Sequence, residues 1–412
     1  MVWKVNANQA RSALKKDEIS QLPNDVTCQI ISLLSTKEAV KTSVLSTRWR
    51  HIWLSLPCLE LKSREFSDLE NFMSFGDRFF DSSRVSSIQK VKLTIDKKDV
   101  DGDDSYCLAS WFDAAAKCKI QNLHVSSYSY ADRKFNKMPQ RLYNCETLVC
   151  LKLFQVALSD AEIVSLPCLK KMYLEYIDFP NEATFETLVL CSPVLECLKI
   201  VVSSDDEKVF RVQSRSLKKL TFERTFSLIS DSAGVVIDCP RLDILNINDN
   251  VSKGFIIHNL GCNAVLQMNL LGMVRWEEFD DELDNGIYEE GVSWNRSNIH
   301  RFIHGISMVR SIKISRGTFK VCDGRNGFPR ENVDQVSFSS VPECLLSSLE
   351  FVDFIATVQY DVEIKLVKYL VKNSAVLKKL TLRLASDSRR DEMLKKLLKT
   401  PRASTKCKVF IL

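Results

Sequence analysis

His300 and His304, four residues apart in IHRFIHGI, are the pair in this 412-residue chain best spaced to share a metal ion. Positions i and i+4 lie on one face of a helix. A metal site needs further ligands, and no third one stands near them in the sequence. The pair therefore reads as a surface or half-buried helical pair, with no metal site expected. Residues 96–104, DKKDVDGDD, resemble a calcium loop at first sight. Counting from Asp99 puts Asp104 where the loop needs glycine and Ser110 where it needs glutamate, so the stretch reads as a polar turn. The chain contains no G-x-S-x-G, no G-x-x-x-x-G-K, no H-E-x-x-H and no G-x-G-x-x-G. No catalytic residue and no cofactor is expected. The chemistry left to the chain is binding.

The residues best suited to binding are large apolar groups near the start. They lie in DEISQLPNDVTCQIISLLSTKEAVKTSVLSTRWRHIWLSLPCLEL, residues 17–61. Pro23-Asn24-Asp25 marks a first helix start, and Val26, Ile30, Leu33 and Leu34 recur at helical spacing. Ser35 followed by Glu38 is a capping-box pattern for a second helix, which carries Val40 and Val44. Ser46 can cap a third, where Trp49 and Trp53 share one face before Pro57. A unit of about 45 residues cannot bury this many large groups by itself. Two tryptophans and several leucines are thus expected to be left for a partner.

This cassette resembles an F-box. LP-D near its start, the SxxEAV turn and SVLSTRWRHIW carry the resemblance. It implies docking onto the small Skp-type adaptor of a cullin–RING ubiquitin ligase. The adaptor-binding residues it implies are Leu22, Pro23, Ile30, Leu34, Val44, Leu45, Trp49 and Trp53.

Bulk properties fit an ordered globular chain. Hydrophobic residues make up 45%, with only 12 glycines and 10 prolines. The net charge of +5 is too small to point to nucleic acid by itself. Fourteen cysteines are scattered without any C-x-x-C, and several occupy apolar repeat positions, such as Cys145, Cys168, Cys191 and Cys239. Residues 1–16 are mixed, polar and basic, and read as a flexible terminus rather than a secretory leader. A reduced intracellular protein, nuclear or cytoplasmic, is expected. No apolar run is long enough to span a membrane.

An apolar-x-x-apolar-x-apolar unit recurs along the chain. It appears at Leu148/Leu151/Leu153, Leu169/Met172/Leu174, Leu195/Leu198/Ile200, Leu217/Leu220/Phe222, Leu242/Leu245/Ile247 and Val265/Met268/Leu270. Looser copies begin at Ile88, Ile120, Val309, Leu349 and Leu377. Central starts are 21 to 26 residues apart, the spacing of leucine-rich repeats. The asparagine that usually follows the strand is mostly missing, so the repeats are degenerate. Alternation within each unit predicts a strand with one face buried, and stacked units share one core. The intervening residues then face the open, concave side. Phe154, Tyr173 and Glu175 combine aromatic area with charge there and are the candidates for holding a target.

The segment VPECLLSSLEFVDF, followed by VEIKLVKYLVKNSAVLKKLTLRL, resembles the FBD domain of plant F-box/leucine-rich-repeat proteins. It departs in ATVQYDVE, which lacks the glycine and acidic run common in that family. Ile364, Val367, Leu370 and Val371 share one helix face; Met393, Leu394, Leu397 and Leu398 share another. CKVFIL alternates as an edge strand. Such a segment would cap the open end of a solenoid. Residues 276–290, WEEFDDELDNGIYEE, carry eight acids and no Lys or Arg, and read as a solvated insertion.

The expected architecture is an α/β leucine-rich-repeat solenoid, or horseshoe. It has a flexible terminus (1–16), an N-terminal three-helix F-box (17–63), degenerate repeats (85–340) and a C-terminal α/β FBD cap (341–412). The resemblances imply a non-catalytic substrate-recognition subunit. Its partners would be a Skp-type adaptor and, through it, a cullin–RING ligase, with a protein target of unknown identity. No nucleic acid, membrane, metal or cofactor is expected. A ligand-gated F-box receptor and a non-degradative adaptor-binding scaffold are the alternatives.

Overall fold

The computed structural model describes residues 22–81, 88–97, 105–129, 136–160, 163–203, 208–224, 234–249, 255–261, 264–268, 309–314, 341, 343–356, 361–384, 395, 397 and 399–412. His300, His304, Asp99, Asp104, residues 1–16 and the acidic stretch 276–290 lie outside them. The chain divides into two compact units, residues 1–132 and 133–412. The division falls inside the span expected for the repeats, not at the end of the helical cassette.

The first unit opens with α1 (Asn24–Ser32) and α2 (Thr36–Lys41). The capping box forms: the Ser35 backbone N–H donates to Glu38 Oε2 at 3.0 Å, and the Glu38 N–H donates to Ser35 Oγ at 3.3 Å. The third segment, Trp49–Ser55, is a 3-10 helix rather than an α-helix. Ser46 does not cap it with its hydroxyl; its carbonyl accepts the Trp49 N–H at 3.1 Å. A three-residue period aligns Trp49 with Ile52, and both turn toward a core of Ile31, Ala39 and Leu56. The expected third α-helix gives way to this packing.

Strand β1 (Cys58–Lys62) follows directly. Its Glu60 N–H donates to Thr36 Oγ1 at 2.8 Å, which ties α2 to the start of the sheet. Helix α3 (Leu69–Phe80), β2 (Lys90–Lys97), α4 (Ser105–Lys117) and β3 (Asn122–Ser129) complete the unit. The three strands are parallel and in order, aligning Leu59, Val91 and Leu123 in one row and Leu61, Leu93 and Val125 in the next. All six are buried. The copies read at Ile88 and Ile120 are thus real strand units.

In the second unit parallel strands follow one another in chain order: Cys150–Phe154, Lys171–Glu175, Cys197–Val202, Lys219–Arg224, Ile244–Asn248, Val265–Met268, Ser311–Ile314, Phe351–Ala356, Lys379–Leu384 and Lys408–Ile411. Each repeat adds its strand to the same growing edge. The leading residues Leu148, Leu169, Leu195, Leu217 and Leu242 are fully buried, as are the strand residues that alternate after them. One register differs from the expected one. Leu266 and Met268, not Met268 and Leu270, align with Leu245 and Ile247. V-L-Q-M-N-L fits the alternation equally well two residues apart, because a two-residue slip keeps every side chain on its face.

Away from the main sheet, Phe210–Gln213, Val235–Cys239 and Phe255–Leu260 form a second parallel sheet. Its Phe210 packs edge-on against Phe179, Phe185 and Phe222. In the C-terminal region the helix Asp361–Asn373 buries Leu366, Val367, Leu370 and Val371. Lys408–Ile411 pairs with Lys379–Leu384 and is the last strand of the sheet.

Candidate functional site

The helical cassette carries an exposed apolar surface. Val26 and Ile30 are each 38% exposed and Leu33 is 86% exposed. They stand at i, i+4 and i+7, so they form one stripe along α1 and its C-cap Leu33, turned away from the adjoining face of the buried Thr27 and Ile31. Val44 and Leu45, just after α2, are 85% and 61% exposed. The Arg48 guanidinium donates to Asn24 Oδ1 at 2.7 Å and holds the start of α1 to the loop that follows these residues. Large apolar groups left in water are suited to desolvation by a partner.

The eight residues singled out in this cassette do not all share that surface. Ile30, Val44 and Leu45 belong to it, and Pro23 is exposed at the start of α1. Leu22 is half-buried, and Leu34 is half-buried against the cassette core. Trp49 is only 3% exposed and belongs to that core. Trp53 is half-buried between α1–α2 and α3, stacked on Phe75 with ring centroids 5.8 Å apart and tilted against Phe79 at 5.6 Å. The two tryptophans are thus not left free: Trp49 is buried within the cassette, and α3, beyond the cassette, covers Trp53. Val26 and Leu33 belong to the exposed stripe and are not among those eight; Leu33 is the more exposed. Its signal was present in the pair Leu33-Leu34, since successive helical residues point about 100° apart and only one can face inward.

The second candidate surface is the exposed face of the main sheet in the second unit. Phe154 pairs in register with Glu175, and Lys152 with Tyr173. The Lys152 ammonium lies 4.6 Å from the Tyr173 ring centroid. Phe154 meets Tyr176 edge-to-face at 5.7 Å. Glu175 pairs with Lys199 at 3.1 Å, and Lys199 also lies 3.8 Å from Glu223. Burial pushes the Tyr173 phenol up to about 12, and the neighbouring Cys197 thiol adds to the shift. Tyr173 is therefore a neutral hydroxyl at physiological pH. Gln155 and Tyr176 both adopt left-handed backbone, with φ of 51° and 54°, at the same point of successive repeats. Such conformations need surrounding support in non-glycine residues. Here the Gln155 N–H donates to the Glu175 carbonyl at 3.0 Å and the Tyr176 N–H to the Val201 carbonyl at 2.7 Å. The three candidates Phe154, Tyr173 and Glu175 thus sit together on two adjacent, backbone-locked strands.

The cysteines are mixed in placement. Cys145 and Cys239 are buried, Cys191 is half-buried and Cys168 is exposed. Burial pushes the Cys239 thiol up to about 12 and the Cys344 thiol up to about 11, so both are held as protonated core residues. Among the described residues no cluster of three or more His, Cys, Asp or Glu is placed to hold a metal ion. No described helix is long and apolar enough to cross a membrane.

Comparison with known proteins gives three family matches along the chain. An F-box domain model matches residues 19–61, the model for FBD-associated F-box protein At5g56370, LRR repeats, matches residues 108–295, and the FBD model matches residues 335–382. Among similar curated proteins, the putative FBD-associated F-box protein At5g53635 of Arabidopsis thaliana is 44% identical, over 96% of this chain and 100% of its own length. The putative F-box/FBD/LRR-repeat protein At2g05300 of the same plant is 42% identical, over 97% and 98%. The F-box/FBD/LRR-repeat protein At5g22700, also of Arabidopsis thaliana, is 35% identical, over 88% and 91%.

Proposed function

Because this chain belongs to the F-box/FBD/LRR-repeat family, we propose that it is the substrate-recognition subunit of an SCF-type cullin–RING ubiquitin ligase. The F-box places it in the ubiquitin pathway. It docks on a Skp-type adaptor through the stripe Val26, Ile30 and Leu33 with Val44 and Leu45. Leu22 and Pro23 border that stripe, and Leu34, Trp49 and Trp53 hold it in shape from beneath. A target protein binds the exposed face of the repeats, at Phe154, Tyr173 and Glu175. The repeats form a leucine-rich-repeat solenoid, with residues 341–412 closing its end. The chain has no catalytic group of its own; its contribution is proximity, holding the target beside a charged conjugating enzyme. It works inside the cell, in nucleus or cytoplasm.

The observation that carries this reading is the exposure of Leu33 and Val44, at 86% and 85%, beside the exposed Val26, Ile30 and Leu45 in a cassette that buries Ile31, Trp49 and Leu56. The test is affinity purification with mass spectrometry on the full chain and on a chain lacking residues 1–62. The full chain should recover a Skp-type adaptor and a cullin, and the shortened chain should retain only the target. Recovery of the adaptor by both would overturn the assignment.

A further inference from the structure

The exposed face of the main sheet is basic, and its carboxylates are already used. Its outward side chains include eight cations and three carboxylates. Glu175 and Glu223 both face Lys199, at 3.1 and 3.8 Å, and Asp353 accepts from Arg383 at 3.0 Å. That leaves Lys152, Lys171, Lys219, Lys313, Lys379 and Lys408 without a carboxylate partner among the described residues. These lysines are not spread evenly. Lys171 and Lys219 occupy one lateral row, with Cys197 between them. Lys379 and Lys408 end the same row, paired with each other. Ile244, Val265, Ser311 and Phe351 fill the interval and carry no charge.

We infer that this row binds an acidic segment of the target protein in extended form, with two acidic clusters flanking an uncharged, partly apolar centre. The inference rests on the reading of the repeats as the target surface. Charge complementarity selects an acidic occupant. The five strand steps from Lys219 to Lys379, at roughly 4.8 Å each, span about 24 Å, which an extended peptide crosses in about seven residues. Phe351, 41% exposed, gives the centre an apolar contact. A polypeptide is favoured over a nucleic acid because the four positions between the two cationic ends carry no charge and include Ile244, Val265 and Phe351, which suit an uncharged, partly apolar segment and offer nothing to a uniformly charged strand. Among the described residues the single outward arginine of these strands, Arg383, is engaged by Asp353, so these strands offer phosphates no free guanidinium fork.

The test uses the full chain and a fluorescein-labelled synthetic peptide with two Asp-Glu-Asp clusters separated by seven uncharged residues. Controls are a peptide of the same composition with all acids contiguous, and a single-stranded DNA of equal charge. The spaced peptide should bind most tightly, and its affinity should fall as salt rises. Lys171→Glu with Lys219→Glu should weaken it by about tenfold, and Lys379→Glu with Lys408→Glu by a similar factor. The matching Lys→Gln pairs, which disturb folding less, should weaken it by about threefold. Affinity unchanged by both pairs, or DNA binding as tight as the peptide's, would overturn the inference. Adaptor binding is measured on the same variants. Intact adaptor binding without peptide binding counts against this inference alone; peptide binding without adaptor binding counts against the ubiquitin-ligase role alone.

Discussion

Gly76 of α3 lies flat against the indole of Trp111 on α4, so close that a methyl group at Gly76 would overlap Cζ2, Cη2 and Cε2 of the ring. The contact is fixed further along the same face, where Trp111 Nε1 donates to Asp77 Oδ1 at 2.7 Å. In a free helix Gly→Ala gains about 1 kcal/mol. Here the overlap dominates, because overpacking a dense core costs about 1–3 kcal/mol and the indole is fully buried. Gly76→Ala should lower the denaturant midpoint of the full chain. A raised midpoint would show that α3 and α4 do not pack this way.

Stability and adaptor binding should separate within the cassette. Trp49→Ala removes a core side chain and should destabilise by about 3–5 kcal/mol. Leu33→Ala touches an exposed group and should leave thermal melting nearly unchanged while weakening adaptor capture by about tenfold or more. Melting curves and pull-downs on the same two variants check this.

The ion pair of Arg224 with Asp249, 3.4 Å apart, has both side chains fully buried. The guanidinium also lies 5.9 Å from the Phe210 ring and 5.7 Å from the Phe222 ring. Removing one partner of a buried pair costs about 3–5 kcal/mol, since the other charge stays in the interior. Asp249→Asn should therefore be strongly destabilising. The double variant Arg224→Met with Asp249→Leu should recover much of the loss in a urea-unfolding series.

Alkaline pH should weaken the second unit. Tyr143, Tyr173 and Tyr369 are each pushed up to about 12, in every case chiefly by burial. The unfolded chain loses these protons near 10, whereas the folded chain keeps them. Their contribution is therefore complete below about pH 10 and disappears as pH rises through about 12. Unfolding followed by tyrosinate absorbance should show a steep stability loss in that window. Tyr143→Phe should make it shallower, since its hydroxyl, which donates to the Ser159 carbonyl at 2.9 Å, can no longer ionise.

The repeats were legible because their signal is local and repeated. Leu148, Leu169 and Leu195 announce buried strand units from three residues of pattern each. Val265 shows the limit of that signal, since alternation alone does not select between registers two residues apart. The fate of the tryptophans was not legible. Trp53 is covered by Phe75 and Phe79, more than twenty residues later, and nothing in the cassette announces them. The charge pattern across the sheet was equally hidden, because Lys219 and Lys379 enter one row only once the strands are aligned.

The central claim is that the exposed stripe of α1, with Val44 and Leu45, is where the Skp-type adaptor docks. Its most direct test is a calorimetric titration of purified adaptor into the full chain and into Leu33→Asp with Val44→Asp, with the melting temperature of each recorded alongside. The account predicts tight binding by the wild-type chain, no measurable binding by the double variant, and closely similar melting temperatures. Wild-type affinity in a folded double variant would contradict it.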